Sequence, residues 1–248
     1  MLTLPVRYYR PYPPEAWLGH QEGAVQIDPA RTAFLLVDVY LPPMGTALEV
    51  GSRADYDDKR RIYERLIAPA LAAARRVRLP IIYVANSAPR IALEKAPFGK
   101  QLASAGTDFA REFAEDNVDP LEFHQGPRHM LVYPGAIAPQ RGDYYVRKHA
   151  YSGFYATRLE SLLRNLDVRT LVAVGIRLDG CLGTTLMDAH HRSFEVILLR
   201  DCTLACDTPE EQSTRAFTQR MILWHEMLIG PTSTSEEFVA ACGDERGR

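Results

Sequence analysis

An α/β fold, in three layers with a mostly parallel sheet between helices, is predicted by three features of this 248-residue chain. Strand-sized apolar runs recur at residues 33–37, 81–85, 170–174 and 195–199, and runs without alternation belong to strands buried on both faces. Segments with helical periodicity fall between these runs, the pattern that folds as β-α-β units. Three of the runs also end on or just before a polar residue, Asp38, Asn86 and Asp201, as strands do where they deliver side chains to a crevice. The length suits one such domain with elaborations.

In chain order, residues 1–30 hold Tyr8, Tyr9, Tyr12 and Trp17 among Pro5, Pro11, Pro13 and Pro14, which disfavours helix and supplies aromatic surface. They are expected to form an arm over the domain or over a neighbouring subunit, with the domain itself at 31–230. The first strand ends at Asp38. A helix is predicted over 55–77, where Ile62, Leu66, Ala70 and Ala73 share a face. The second strand ends at Asn86. Residues 87–142 carry Pro89, Pro97, Pro120, Pro127, Pro134 and Pro139 around one predicted helix at 107–115, and are expected to cover the crevice. A short strand at 144–147 delivers Lys148, and a helix follows at 158–166. The run at 170–174 leads through Gly175-Ile176-Arg177-Leu178-Asp179-Gly180 to Cys181, after which a helix is predicted from Leu182 through Ala189. The run at 195–199 leads to Asp201, a helix is expected over 209–226, and residues 231–248 are a tail.

Charge narrows the partners. Lys and Arg total 29 against 31 for Asp and Glu, with no block of either sign, so nucleic acid and membrane surfaces are not expected partners. The start of the chain lacks the apolar core of a signal peptide, and cytoplasmic localisation is expected. The four cysteines, Cys181, Cys202, Cys206 and Cys242, have no paired metal spacing and are expected to be reduced thiols.

The chemistry concentrates at strand ends. Asp38, Lys148 and Cys181 each lie at or just past the carboxyl end of a predicted strand, where an open α/β sheet binds ligands. A thiolate attacks carbonyl carbon, a carboxylate takes the thiol proton, and an ammonium favours the thiolate. The amides of a helix N-terminus also favour it, so a lowered thiol pKa is expected at Cys181. Each residue has a plainer reading: Asp38 as a turn cap, Lys148 as a solvated charge, Cys181 as core packing. A redox pairing of Cys181 with Cys202 or Cys206 is a further alternative, as is a binding protein that has lost turnover.

These residues sit in motifs that resemble the isochorismatase-like cysteine hydrolases, a family that includes nicotinamidases, N-carbamoylsarcosine amidohydrolase, ureidoacrylate amidohydrolases and biuret hydrolases. The resemblance spans about residues 30–230. It rests on Phe34-Leu35-Leu36-Val37-Asp38, on Lys148 followed by Ser152-Gly153-Phe154-Tyr155-Ala156-Thr157, and on the run from Gly175 to Cys181. It implies the isochorismatase-like hydrolase fold and a triad of Asp38 as general base and acid, Lys148 for charge balance and Cys181 as nucleophile. It also implies a cis peptide between Ile176 and Arg177, with the Arg177 and Cys181 amides facing the oxyanion. Homodimers or homotetramers are implied as well.

Departures from the family pattern bear on substrate. Tyr40 stands where many relatives have Gln, and Leu178 where Thr is frequent. No histidine occurs in residues 39–75, where nicotinamidases carry metal ligands, so no metal or other cofactor is expected; His190 and His191 are assigned to the helix behind Cys181. Asn86 and the Lys148 to Phe154 run resemble the ureidoacrylate amidohydrolases, and the segment containing Asp201 and Cys202 is similar to the biuret hydrolases. The expected substrate is a small amide or ureido compound, with nicotinamide-type or maleamate-type amides as the alternative. Tyr40, Asn86, Tyr151, Phe154 and Arg177 are the candidate substrate contacts. Asn86 either binds a ureido group or caps its strand, and Arg177 either pairs with a substrate carboxylate or points to solvent or a neighbouring subunit.

Overall fold

The computed structural model describes residues 1–13, 15, 19–41, 53–86, 88–89, 114–115 and 132–243. The apolar runs form the centre of an eight-stranded sheet. Its strands are β1 (Leu2–Arg10), β2 (Gly19–Ile27), β3 (Thr32–Val37), β4 (Ile81–Asn86), β7 (Tyr144–Lys148), β8 (Thr170–Ile176), β9 (Glu195–Leu204) and β10 (Thr232–Ser233). Two-residue strands β5 (Ala88–Pro89) and β6 (Ala114–Glu115) pair separately. The helices are α1 (Arg53–Ile62), α2 (Ala68–Arg76), α3 (Leu159–Asn165), α4 (Cys181–His191), α5 (Ala216–Leu228) and α6 (Ser235–Gly243).

The sheet order is β2-β1-β10-β9-β8-β3-β4-β7, parallel from β10 through β7 and antiparallel at β1 and β2. Alternation within each strand serves two cores. Phe34 and Leu36 of β3 pack with Ile62, Leu71 and Phe238 on the face covered by α1, α2 and α6. Ala33, Leu35 and Val37 pack with Leu163, Leu182, Leu186 and Ile222 on the face covered by α3, α4 and α5. Every residue of β3 and β8 is buried, as continuous apolar runs require. After β3 the chain adds β4 and β7 on one side, then returns to place β8 on the other. That reversal between β3 and β8 is where an open α/β sheet forms its crevice.

Several elements differ from expectation. Residues 2–10 and 19–27 pair antiparallel and extend the sheet rather than forming a loose arm; β1 alternates buried and exposed side chains, and Leu2, Leu4 and Val6 join the core. Pro5 is tolerated near this sheet edge, and Trp17 and Pro14 lie outside the described residues. The tail forms β10 and α6, with Phe238 stacked on Phe34 at 5.6 Å. The predicted helix at 55–77 is interrupted by a π turn over Tyr63–Ile67. Pro69 has no N–H to give to the preceding turn, and the Ala68 amide bonds the Tyr63 carbonyl five residues back. Strand β9 runs on to Leu204 because Arg200 and Asp201 find partners beside it: Asp201 accepts the Ser235 amide at 2.9 Å and the Ser235 hydroxyl at 2.6 Å. Helix α5 starts at Ala216 rather than 209, since Arg215 is left-handed (φ 53°) and Asp207 takes the Thr218 amide at 3.0 Å. Of the cover at 87–142, residues 132–142, 88–89 and 114–115 are described; the helix expected at 107–115 falls outside the described residues except for Ala114 and Glu115, which are strand. Val132 bridges to Leu41 across the crevice mouth.

Candidate active site

Four adjacent strands, β8, β3, β4 and β7, end side by side, and their carboxyl ends carry Cys181, Asp38, Asn86 and Lys148. Register does much of the positioning: Val37 pairs with Gly175, and Asn86 pairs directly with Lys148. Asp38 leaves β3 in the left-handed region (φ 50°), which ends the strand and turns its carboxylate into the crevice. Gly175, at φ +134°, lies so close to β3 that a Cβ would sit 2.0 Å from the Val37 carbonyl oxygen. Only glycine permits these two strands to meet this closely.

Lys148 organises the site. Its ammonium is fully buried and lies 2.9 Å from Asp38 Oδ2 and 3.1 Å from Cys181 Sγ, while also donating to Asn86 Oδ1. Three donors thus have three acceptors, and none remains for a ligand. Burial alone lowers the Lys148 pKa, but Asp38 and Cys181 overcome it and hold the amine above its ordinary value.

The thiol departs from the helix-terminus expectation. Burial pushes Cys181 up to about 12, with Lys148 opposing and Asp38 adding to the rise. Desolvation of a thiolate beside a carboxylate exceeds what one ammonium and the start of α4 return. A raised thiol pKa beside the Asp38 carboxylate favours the protonated form of Cys181.

The turn before α4 contains the cis peptide between Ile176 and Arg177. The amides of Leu178, Gly180 and Leu182 close the turn, on Leu204 O at 2.8 Å and on Arg177 O at 3.0 Å each. The Arg177 side chain pairs with Asp55 at 3.3 Å and donates to the Ala205 carbonyl at 3.1 Å. Neither option raised for it from sequence describes this bond, which ties the nucleophile turn to α1.

The Ser-Gly-Phe-x-x-Thr motif fixes α4 instead of facing the crevice. Ser152 donates to Asp188 at 2.5 Å, the Gly153 amide donates to Thr185 Oγ1 at 2.9 Å, and Thr185 in turn donates to the Cys181 carbonyl at 2.6 Å. Phe154, a candidate substrate contact, is buried in the α3–α4 core at 6.0 Å from the Phe194 ring, with Arg192 over its face. Its size and apolarity serve packing. Tyr151 is 46% exposed and stands over Gly180 at the site's rim.

Asn86 and Tyr40 adjoin Asp38 and Lys148. The Asn86 amide N–H donates to Asp38 Oδ1 at 3.1 Å, and its side-chain Nδ2 donates to the Tyr40 hydroxyl at 2.8 Å. Burial first, then the Asp38 and Cys181 charges, raise the Tyr40 pKa well above that of a free phenol, so the hydroxyl stays neutral. Tyr63, which sequence periodicity did not single out, reaches the Asp38 carbonyl at 3.4 Å from the π turn. Thr185 was legible only as the residue one turn after Cys181. Among the described residues, no group of three or more His, Cys, Asp or Glu side chains is arranged to hold a metal, and no helix is long and apolar enough to cross a membrane.

The family model for the isochorismatase domain matches residues 51–228. The chain is 34% identical over 184 residues to ureidoacrylate amidohydrolase RutB of Methylobacterium radiotolerans, covering 72% of this chain and 69% of that one. The RutB protein of Methylorubrum extorquens is 43% identical over 113 residues, a match that spans 46% of this chain and 43% of the relative. Among solved structures, a cysteine hydrolase from Pseudomonas syringae pv. phaseolicola superposes with a TM-score of 0.67 at 26% identity, over 88% of this chain and 94% of that one. N-carbamoylsarcosine amidase from Thermoplasma acidophilum shares the fold, with a TM-score of 0.56 at 22% identity, over 83% of this chain and 97% of that one.

Proposed function

We propose, from the premise that this chain belongs to the isochorismatase family, that it hydrolyses a C–N bond of a small amide or ureido compound through a covalent intermediate on Cys181. The observation that carries this reading is the Lys148 ammonium held at 2.9 Å from Asp38 and 3.1 Å from Cys181. In the first half-reaction Sγ attacks the carbonyl carbon while Asp38 takes its proton. The oxyanion meets the Arg177 and Cys181 amides. Asp38 then gives the proton to the departing nitrogen, the C–N bond breaks, ammonia leaves, and an acyl or carbamoyl thioester remains. Water, deprotonated by Asp38, attacks that thioester; the C–S bond breaks and the proton returns to sulfur. Lys148 stays an ammonium throughout and balances whichever anion is present.

The triad supplies each proton transfer in this scheme, so no metal is assigned to it. Ureido acids lead the substrate candidates because two relatives are named ureidoacrylate amidohydrolases. Ammonia release by wild type and Cys181→Ala, with a chelator present, over ureido acids, biuret, N-carbamoyl amino acids, nicotinamide and maleamate tests the reading. Turnover of one compound that vanishes in the variant and survives the chelator is expected. A folded protein that releases ammonia from none of them, or as well without Cys181, overturns it.

A further inference from the structure

We infer that Tyr40 and Asn86 act together as a positioning pair for the triad, with Tyr40 fixing the rotation of the Asn86 amide that holds Lys148 between Asp38 and Cys181. The inference rests on the cysteine-hydrolase reading above and assigns two residues that sequence had marked as substrate contacts.

An asparagine side chain is nearly symmetric in shape, and its hydrogen-bond partners decide which end is oxygen. Here Lys148 donates to Oδ1, so the amide must present its NH2 group to the other side. There it donates to the Tyr40 hydroxyl at 2.8 Å, and only at a long 3.4 Å to Asp38 Oδ2. Lys148, which only donates, and the Asp38 carboxylate, which only accepts, set which end of the amide is oxygen, and the shorter bond to the Tyr40 hydroxyl fixes the plane in which the amide is held. Reversed, the amide would put its NH2 group against the Lys148 ammonium, two donors face to face, and the ammonium would shift away from the thiol.

Tyr40 is itself held. Its ring meets Tyr133 edge-on at 6.4 Å, Tyr133 meets Tyr83 edge-on at 5.4 Å, and Tyr83 stacks on Tyr145 at 5.5 Å. The Tyr83 hydroxyl donates to the Ile137 carbonyl at 2.8 Å, which secures that row to the segment bridging the crevice mouth. A ring packed this way offers its oxygen to one place. The phenol's raised pKa keeps that oxygen neutral near the Asp38 carboxylate. Both Nδ2 hydrogens of Asn86 and one lone pair of its Oδ1 are engaged within this network, so its amide donates nothing further to a ligand.

The test reads the triad without a substrate, so that it stays informative if the hydrolase reading fails. The full-length protein and its variants are alkylated with iodoacetamide at pH 8, and Cys181 and Cys206 peptides are followed by mass spectrometry; exposed Cys206 is an internal reference. Tyr40→Phe and Asn86→Ala are each expected to slow Cys181 alkylation about tenfold, the worth of one hydrogen bond, with Cys206 unchanged. The double variant should be no slower than Asn86→Ala alone, since Tyr40 acts through Asn86. Asn86→Ser replaces Asn86→Ala if the latter does not give a cooperative melt. With a turned-over substrate, Tyr40→Phe should lower kcat and leave KM within twofold. An unchanged Cys181 rate in Tyr40→Phe, effects that multiply in the double variant, or a Tyr40→Phe change confined to KM would overturn the inference.

Discussion

Removing one charge at a time from the triad should move the Cys181 thiol in opposite directions. Two unit charges 3.1 Å apart, the Lys148–Cys181 separation, interact by about 5 kcal/mol at an effective dielectric of ~20, and the 2.9 Å between Lys148 and Asp38 gives a similar figure for that pair. Lys148→Met therefore withdraws support for the thiolate worth roughly five-thousandfold in ionisation. It also leaves Asp38 buried without its partner, which costs about 3–5 kcal/mol of stability. Asp38→Asn withdraws the carboxylate that raises the thiol's pKa. Iodoacetamide alkylation at Cys181 across pH 7–10, with urea denaturation alongside, reads both. Lys148→Met should alkylate far more slowly than wild type and unfold at lower urea. Asp38→Asn should alkylate faster while losing turnover, because a more available thiolate is no substitute for the proton carrier. If Asp38→Asn slowed alkylation as Lys148→Met does, Asp38 would be supporting the thiolate, and the assignment of a resting thiol beside a carboxylate base would be wrong.

Three further outcomes follow from the same structure. Gly175→Ala places a methyl group against the Val37 carbonyl at an unfavourable φ, so a loss of at least ~3 kcal/mol is expected in chemical denaturation, and a wild-type midpoint would contradict the close approach. Burial pushes His225 down to about 3 from an unfolded value near 6.5; its neutral ring contributes stability that is complete above ~6.5 and declines toward pH 3, by about 1.4 kcal/mol per pH step. His225→Phe should flatten the acid side of the stability profile relative to wild type, and parallel profiles would refute that. Asp55→Asn leaves Arg177 and Lys59 without their shared carboxylate, from which they lie at 3.3 and 2.6 Å, and should destabilise by about 2 kcal/mol; a thermal midpoint equal to wild type would show that this tie between α1 and the nucleophile turn carries little.

The parallel centre of the fold was legible because β3, β4, β8 and β9 are buried on both faces and so read as unbroken apolar runs. The edge was not: β1 holds a proline and four aromatic or charged residues at its end, and its register depends on pairing with β2 and β10, which no local pattern announces. That Asp38, Lys148 and Cys181 meet was legible from their places at strand ends. Their electrostatics were not, since helix position argues for an acidic thiol while the surrounding burial, a tertiary property, raises it. Phe154 and Ser152 looked functional as a motif and prove to hold α4 in place. Arg177 has a partner 122 residues away, Asp55, and a spacing that long leaves no trace in sequence.

The central claim is a covalent Cys181 intermediate, and partitioning by hydroxylamine tests it most directly. With the substrate that releases ammonia, rising hydroxylamine should divert product from the acid to the hydroxamate, or to the N-hydroxyurea for a carbamoyl group, at an undiminished rate of ammonia release. Acid as the sole product at every hydroxylamine concentration would mean that water attacks the substrate directly and that Cys181 never carries the acyl group.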